Sequence, residues 1–461
     1  VNASPTPSPD PSGADPLTGR RMLYVGTYTP GSEPAGRGEG VYRVWFDPNT
    51  GEFEDGGLAA RLTGPSFLAL NAHLPWVYAV GERAEGTLTA LRIEHDGGLT
   101  ELGSDSSHGA SPCHVRALGE TQAVVANYAD GRVAIDGFTR EGARNSGPDV
   151  YSGEREPRQL FDHTGHGPDP DRQEGPHAHS SLLVPDTVHP ELSTLLVADL
   201  GTDELRAYRV GEPVRPEFRE PSGGLGPGIE FLPNGLQGRV RLKPGSGPRH
   251  MAVTRDGRHV YVTGELDSRV HVVRWTGDID HAQYLGSVPA TAEEAAGTNF
   301  PAELALHRDH LYVSNRGADA VSTFALRDGG ARPEHLADTP VGAWPRHFAV
   351  VRGHRDEPDH LVAAAQNGDS LMSLRLGPPP TPGTGSRCPI RSVCSRCRCA
   401  ASAGESGPGA DGVPSALPAA RPRGAPAAAA GPSQPRSSFL RILPVGPVGS
   451  ALMRRISRGY L

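Results

Sequence analysis

Two short apolar stretches, residues 248–253 and 260–264, are bracketed by groups able to do chemistry. Arg249 and His250 open the first, Glu265 follows the second, and a turn at Arg255, Asp256, Gly257 and Arg258 joins them. The placement recurs along the chain. Arg346 and His347 open another apolar stretch, Arg316 closes one, and His177 and His179 alternate at the head of a third. A guanidinium offers a planar fork of N–H donors that fits phosphate or carboxylate oxygens. A histidine or a carboxylate beside it can carry a proton. Taken singly, each of these residues reads more plainly as a solvated charge at a strand end. They become a site only if the fold brings the strand ends together.

The elements that must do so are short strands. Residues 22–28 alternate apolar with small or polar side chains, as a half-buried strand does, and residues 41–46 form a second strand closed by a turn at Asp47, Pro48, Asn49 and Gly51. A unit then repeats, opening at Pro65, Pro112, Pro176, Pro248, Pro301 and Pro345, each time with an apolar strand followed by two or three more. The spacing corresponds to about one propeller blade plus insertions. The two strands before the first copy read as the middle of a seventh unit whose first strand is supplied from the far end of the chain. A parallel β-helix would have shorter, more regular turns, and a sandwich would not repeat the proline-headed opening. The expected fold is therefore all-β, a seven-bladed β-propeller. Its inner strands line one channel, so strand-end residues far apart in sequence meet at one mouth.

Composition narrows the partners. A formal net charge of −8 gives no global basic field for nucleic acid or anionic lipid. No run of about 18 apolar residues is present to suggest a membrane span. Residues 1–20 are rich in Pro, Ser and Asp and lack the basic and apolar regions of a secretory signal, so they read as a disordered leader and the protein as cytoplasmic. Of five cysteines only Cys113 lies in the patterned region; Cys388, Cys394, Cys397 and Cys399 crowd into the tail, which excludes a disulfide framework for the main domain. Lys243 is the single lysine among 45 basic residues, the mark of GC-rich coding DNA, and it weakens any argument that one exposed arginine was selected over lysine.

Residues 21–376 thus form the expected propeller domain. Residues 377–461 form a low-complexity tail rich in Pro, Ala, Gly and Arg, the mixture that GC-rich DNA yields in an altered reading frame. A closing strand is required after the sixth copy, and residues 438–443 are the only late apolar run that could supply it.

These phrases resemble the lactonase family of seven-bladed propellers, which includes propeller-type 6-phosphogluconolactonases and carboxymuconate-lactonising enzymes. The resemblance is carried by residues 24–29, 65–70, 112–115 with 125–128, 175–180 with 197–203, 247–250 with 264–266, 301–303 with 313–317, and 344–348 with 366–369, in the family's order. It spans about residues 22–376; the family's last strand, with its Pro-Ser-Pro-Val-Cys-like phrase, has no counterpart. The resemblance implies four catalytic positions, His179, Arg249, Glu265 and Arg316, with Arg249, Arg316 and Arg346 binding substrate. It implies a small anionic lactone as substrate, most readily 6-phospho-D-glucono-1,5-lactone of the pentose phosphate pathway, and no cofactor. Opening a lactone needs a base for water, here Glu265 or His179, and cationic donors for the oxyanion. A cycloisomerase acting on carboxylated muconates could use the same residues, and a non-catalytic interaction platform could use the same architecture.

His250 and His347 read as packing between blades, and His114 as a hydrogen-bonded core residue. His177 and His179 face one side of a strand near His163, His166, Asp169 and Asp171, a set that could ligate a metal. The polar insertion loop that carries most of them is better read as solvated, as is the Cys394/Cys397 pair with no second pair at zinc spacing. No metal is expected.

Overall fold

The computed structural model describes residues 19–138, 159–185, 192–211, 231–277, 279–292, 299–354 and 356–377, together with two strands, Ile390–Ser392 and Phe439–Val445. The four tail cysteines and most of the expected leader lie outside the described residues. Seven antiparallel four-stranded sheets make up the fold, each a meander of neighbouring strands. Helical structure among the described residues is confined to two 3-10 turns, Ile279–His281 and Asp328–Gly330. No helix there is long and apolar enough to cross a membrane.

The blades follow the repeat. Blade 2 begins with Leu68–Leu70, blade 3 with Pro112–Leu118, blade 4 with Ala178–Pro185, blade 5 with Pro248–Val253, blade 6 with Phe300–His307 and blade 7 with Pro345–Val351. Blade 1 is the split one. Arg21–Thr27, Gly40–Phe46 and Phe53–Arg61 are its outer three strands, and Phe439–Val445 is its inner strand, pairing Met22 with Val445 through Thr27 with Phe439. Two strands of the propeller therefore lie beyond residue 376, within the segment read from composition as tail. Ile390–Ser392 is the outermost strand of blade 7.

Seven apolar clusters fill the seams between successive blades, because alternation along each strand gives every sheet two apolar faces. The cluster that settles ring closure packs Leu23, Val25, Val44 and Phe46 of blade 1 against Ala349, Val351, Val362, Ala364 and Leu371 of blade 7. At the rim of this seam Arg21 forms an ion pair with Glu357.

One irregularity repeats and matters for the site. The pairing of inner and second strands slips between Pro112 and His114, Ala178 and Ser180, Pro248 and Met251, Pro301 and Leu304, and Pro345 and His347. Proline has no N–H for the ladder and is tolerated at the first position of a strand or at a bulge. A bulge leaves an extra residue unpaired and re-aims its side chain. Cys113, His179, Arg249 and Arg346 occupy these extra positions. The proline-headed openings thus mark where the channel receives its polar groups.

Candidate active site

Glu265 is the hub. It follows strand His259–Gly264, and its N–H donates to Gly247 O at 2.8 Å, which fixes its backbone at the mouth of blade 5. Gly247 has φ of +58°, a left-handed conformation that glycine adopts without strain, and its N–H is held by Asp203 at 2.8 Å. From there the Glu265 carboxylate meets three guanidinium groups. Arg249 Nε lies 2.9 Å and Arg316 Nη2 2.7 Å from Oε2, while Arg172 Nη2 lies 2.8 Å from Oε1. His179 Nε2 stands 4.0 Å from Oε2, too far for a direct hydrogen bond. The four positions implied by the resemblance, drawn from blades 4, 5 and 6, are thus brought to one carboxylate.

Arg249 and Arg316 are each 3% exposed. Arg316 donates from Nε to Phe300 O at 3.1 Å and lies 5.8 Å from both the Phe300 and Trp344 rings. This aromatic slot holds the guanidinium in one orientation. Yet Arg249 Nε and Nη1, Arg316 Nη2 and Glu265 Oε2 make no aligned hydrogen bond among the described residues. The charges are close, but the N–H vectors miss the oxygen. Buried donors left without partners are costly in a folded protein unless a ligand or water takes them.

Arg346 lies beside this set, 5.8 Å above the Tyr28 ring, and forms no ion pair within 4 Å among the described residues. Tyr28 in turn donates to Glu82 Oε1 at 3.2 Å. Glu82 occupies in blade 2 the place Glu265 holds in blade 5, its N–H bonded back to Gly64 O at 2.9 Å. Deeper in the channel His250 Nδ1 and His347 Nε2 approach Glu303 Oε2 at 3.1 and 2.9 Å, so these histidines bridge blades 5, 6 and 7 through a carboxylate and do more than pack. The His114 ring lies tilted against Phe67, 4.3 Å between centroids, and Phe67 also meets His250 edge-on.

The residues weighed as metal ligands have other partners. His163 Nδ1 sits 2.6 Å from Asp199 and its Nε2 2.8 Å from Tyr208 Oη, inside blade 4. Asp169 accepts the N–H groups of Asp171 and Arg172, and His166 donates to Gly167 O. His177 stacks on Tyr128 at 4.5 Å and donates from Nδ1 to its carbonyl at 2.8 Å.

A profile described as Lactonase, 7-bladed beta-propeller matches residues 22–379. The chain belongs to that lactonase family. A curated 6-phosphogluconolactonase of Bacillus subtilis is 28% identical over 332 residues, 70% of this chain and 83% of the relative. The solved structure of a periplasmic gluconolactonase of Pseudomonas aeruginosa superposes with a TM-score of 0.63 at 25% identity, covering 82% of this chain and 97% of the other. A Lactobacillus plantarum protein shares the fold, with a TM-score of 0.64 at 24% identity over 81% of this chain and 95% of its own.

Electrostatics set Glu265 and His179 apart. Burial alone would raise the Glu265 carboxyl, but Arg316, then Arg249 and Arg172, outweigh it and hold the group well below the usual carboxylate range. Glu265 stays ionised and is a poor proton acceptor at neutral pH. Burial, reinforced by Arg249, holds His179 well below the ordinary imidazole range, although Glu265 pulls the other way. Its ring is therefore neutral at neutral pH. Burial pushes Arg316 down to about 9, which leaves it cationic at neutral pH.

The strand carrying His179 is positioned by Asp199, which is fully buried and accepts the N–H groups of His177, Gly201 and Thr202 at 2.9 to 3.2 Å. A Cβ on Gly201 would lie 1.9 Å from Gly175 O and 2.9 Å from the His177 ring. Gly201→Ala is expected to destabilise the lactonase by about 1–3 kcal/mol, read from denaturant midpoints. An unchanged midpoint would show that the loop before His177 yields freely.

Arg172 and Tyr128 were not singled out from sequence. Arg172 sits in a polar insertion and carries no local signal, and Tyr128 closes the phrase 125–128 with nothing there to mark its hydroxyl for the site.

Proposed function

We propose that this lactonase hydrolyses 6-phospho-D-glucono-1,5-lactone to 6-phosphogluconate, with His179 as base and protein side chains alone supplying the electrophile. The observation that carries the reading is a neutral imidazole beside buried guanidinium donors that lack aligned partners, around a carboxylate locked in its ionised form. His179 Nε2 takes a proton from water as the oxygen bonds to the lactone carbonyl carbon. Negative charge gathering on the carbonyl oxygen is met by N–H groups of Arg249 and Arg316. Collapse breaks the ring C–O bond, and the imidazolium returns its proton to the departing ring oxygen. The new carboxyl group releases one proton to solvent. Glu265 holds the two guanidiniums in place and, 4.0 Å from Nε2, stabilises the transient imidazolium. Arginine is suited to the substrate phosphate, and the Bacillus subtilis relative bears the name of this activity.

The reaction is followed in a pH-stat against the spontaneous rate, with Glu265→Gln beside wild type. Wild type is expected to exceed the spontaneous rate, and Glu265→Gln to lose about a hundredfold or more in kcat/KM. A wild-type rate equal to the spontaneous one defeats the proposal, as does turnover of a carboxylated muconate in place of the lactone.

The pH profile gives a further check. A base whose folded pKa is depressed stays deprotonated, and therefore competent, as pH falls through its ordinary value. The plot of kcat/KM is expected to remain flat through about pH 6.5 and to decline only at the lowered pKa of His179. An acidic limb centred near the ordinary imidazole value would place the base elsewhere.

A further inference from the structure

Arg172 differs from the other arginines at Glu265 in origin, exposure and partners. It comes from the insertion loop ahead of His177, whereas Arg249 and Arg316 lie on blade strands. Its side chain is 36% exposed against 3% for each of the other two, so it occupies the solvent side of the cluster. It reaches Oε1 of Glu265, leaving Oε2 to Arg249 and Arg316. A single nitrogen, Nη2, makes both of its contacts, to Glu265 at 2.8 Å and to Tyr128 Oη at 3.3 Å. Among the described residues the rest of the fork makes no hydrogen bond or ion pair, and the side chain is partly open to solvent.

The loop does not present this fork loosely. Gln173, next in the chain, is 0% exposed, and its Nε2 donates to Leu200 O and Asp203 Oδ1, each at 2.8 Å. Its backbone closes a turn, with Gln173 N bonded to Asp169 O at 2.8 Å and Gly167 N to Gln173 O at 3.0 Å. Asp169 holds the Arg172 N–H from its side chain at 3.2 Å. Tyr128 is pinned beneath by the His177 ring. The guanidinium therefore stands on a fixed base and loses little freedom when an anion arrives.

Three guanidiniums surround one ionised carboxylate, so the cluster as a whole carries excess positive charge and favours an anionic substrate. The part of it nearest solvent is a fork of N–H donors, the shape that fits phosphate oxygens. We propose that Arg172 is the specificity residue of this site, binding the distal phosphate of the substrate at the channel mouth while Arg249 and Arg316 serve the lactone carbonyl. The assignment rests on the lactonase reading above and adds a division of labour among its arginines.

The test pairs two substrates and two variants, with thermal melts to confirm that Arg172→Ala and Arg172→Lys fold. For Arg172→Ala, KM for the 6-phosphorylated lactone is expected to rise about 10- to 100-fold. Loss of a guanidinium from Glu265 affects both lactones alike, so kcat/KM for the phosphorylated lactone should drop about 10- to 100-fold further than kcat/KM for the phosphate-free gluconolactone. Arg172→Lys keeps the charge and loses the fork, and should fall between. An equal loss of kcat/KM on both lactones would overturn the proposal and make Arg172 a positioning residue for Glu265. Calorimetric binding of 6-phosphogluconate and gluconate to wild type and Arg172→Ala separates this result from the fate of the catalytic reading. Selective loss of 6-phosphogluconate binding supports the assignment even if no lactone is hydrolysed; equal affinity of wild type and variant for 6-phosphogluconate overturns it.

Discussion

His179→Ala is expected to lower kcat for lactone opening by about a hundred- to ten-thousand-fold, with KM little altered. On the proposed mechanism, removing the imidazole deletes the neutral nitrogen that takes the proton from water. Glu265 cannot take over, because Arg316, Arg249 and Arg172 hold it as a weakly basic carboxylate. Cys113, with Sγ 3.8 Å from His179 Nδ1, cannot either, since burial pushes its thiol up and keeps it protonated. On the proposed reading the substrate's anionic contacts lie on the arginines and remain, which is why the loss falls on kcat. Excess imidazole in solution should recover part of the rate if the cavity left by the variant admits it. A variant retaining a third or more of wild-type kcat would remove His179 from the chemistry.

Ending the chain at Ser438 is expected to abolish the cooperative melt of the propeller. The lost strand, Phe439–Val445, is the inner strand of blade 1 and borders blades 2 and 7 as well as its own sheet. Its removal unpairs the backbone of Arg21–Thr27, at about 0.5–1.5 kcal/mol for each hydrogen bond. It also opens to solvent the seam in which Leu23 and Val25 meet blade 7. Domains of ordinary stability hold only about 5–15 kcal/mol in reserve, so losses of this kind along a whole strand leave the ring unpopulated. A synthetic peptide spanning residues 438–446 added in trans should restore melting and activity by strand addition. A truncated chain melting within a few degrees of the full chain would show that blade 1 holds with three strands.

What could be read from the chain beforehand follows from where periodicity is strong. The second strands are apolar runs buried along their length, and the repeated proline-headed openings precede the bulges at which His179, Arg249 and Arg346 sit. Strand ends of consecutive units converge in a propeller, so Glu265 and Arg316 could be placed at the same mouth without knowing a distance. Arg172 could not, because a loop has no period and its direction is set by the burial of Gln173, a contact with residues 200 and 203. Glu303 was hidden for a related reason. It lies inside a bulged strand and gains meaning only when His250 and His347 arrive from the neighbouring blades. The closing strand was visible only as an isolated apolar run, since the unit that it completes lies at the other end of the chain.

That last pairing also orders events during synthesis. The strand Arg21–Thr27 is made before blades 2 to 7 and its partner Phe439–Val445 after them, so the contact that shuts the ring spans the whole propeller in sequence. Blades 2 to 6 can collapse in turn as they leave the ribosome, each against its predecessor, while the open edge of the first sheet waits. During that wait the edge is a template for any extended segment, including the same strand of another nascent chain. Yield on expression should therefore fall with temperature and chain concentration more steeply than the melting temperature of the finished ring would suggest.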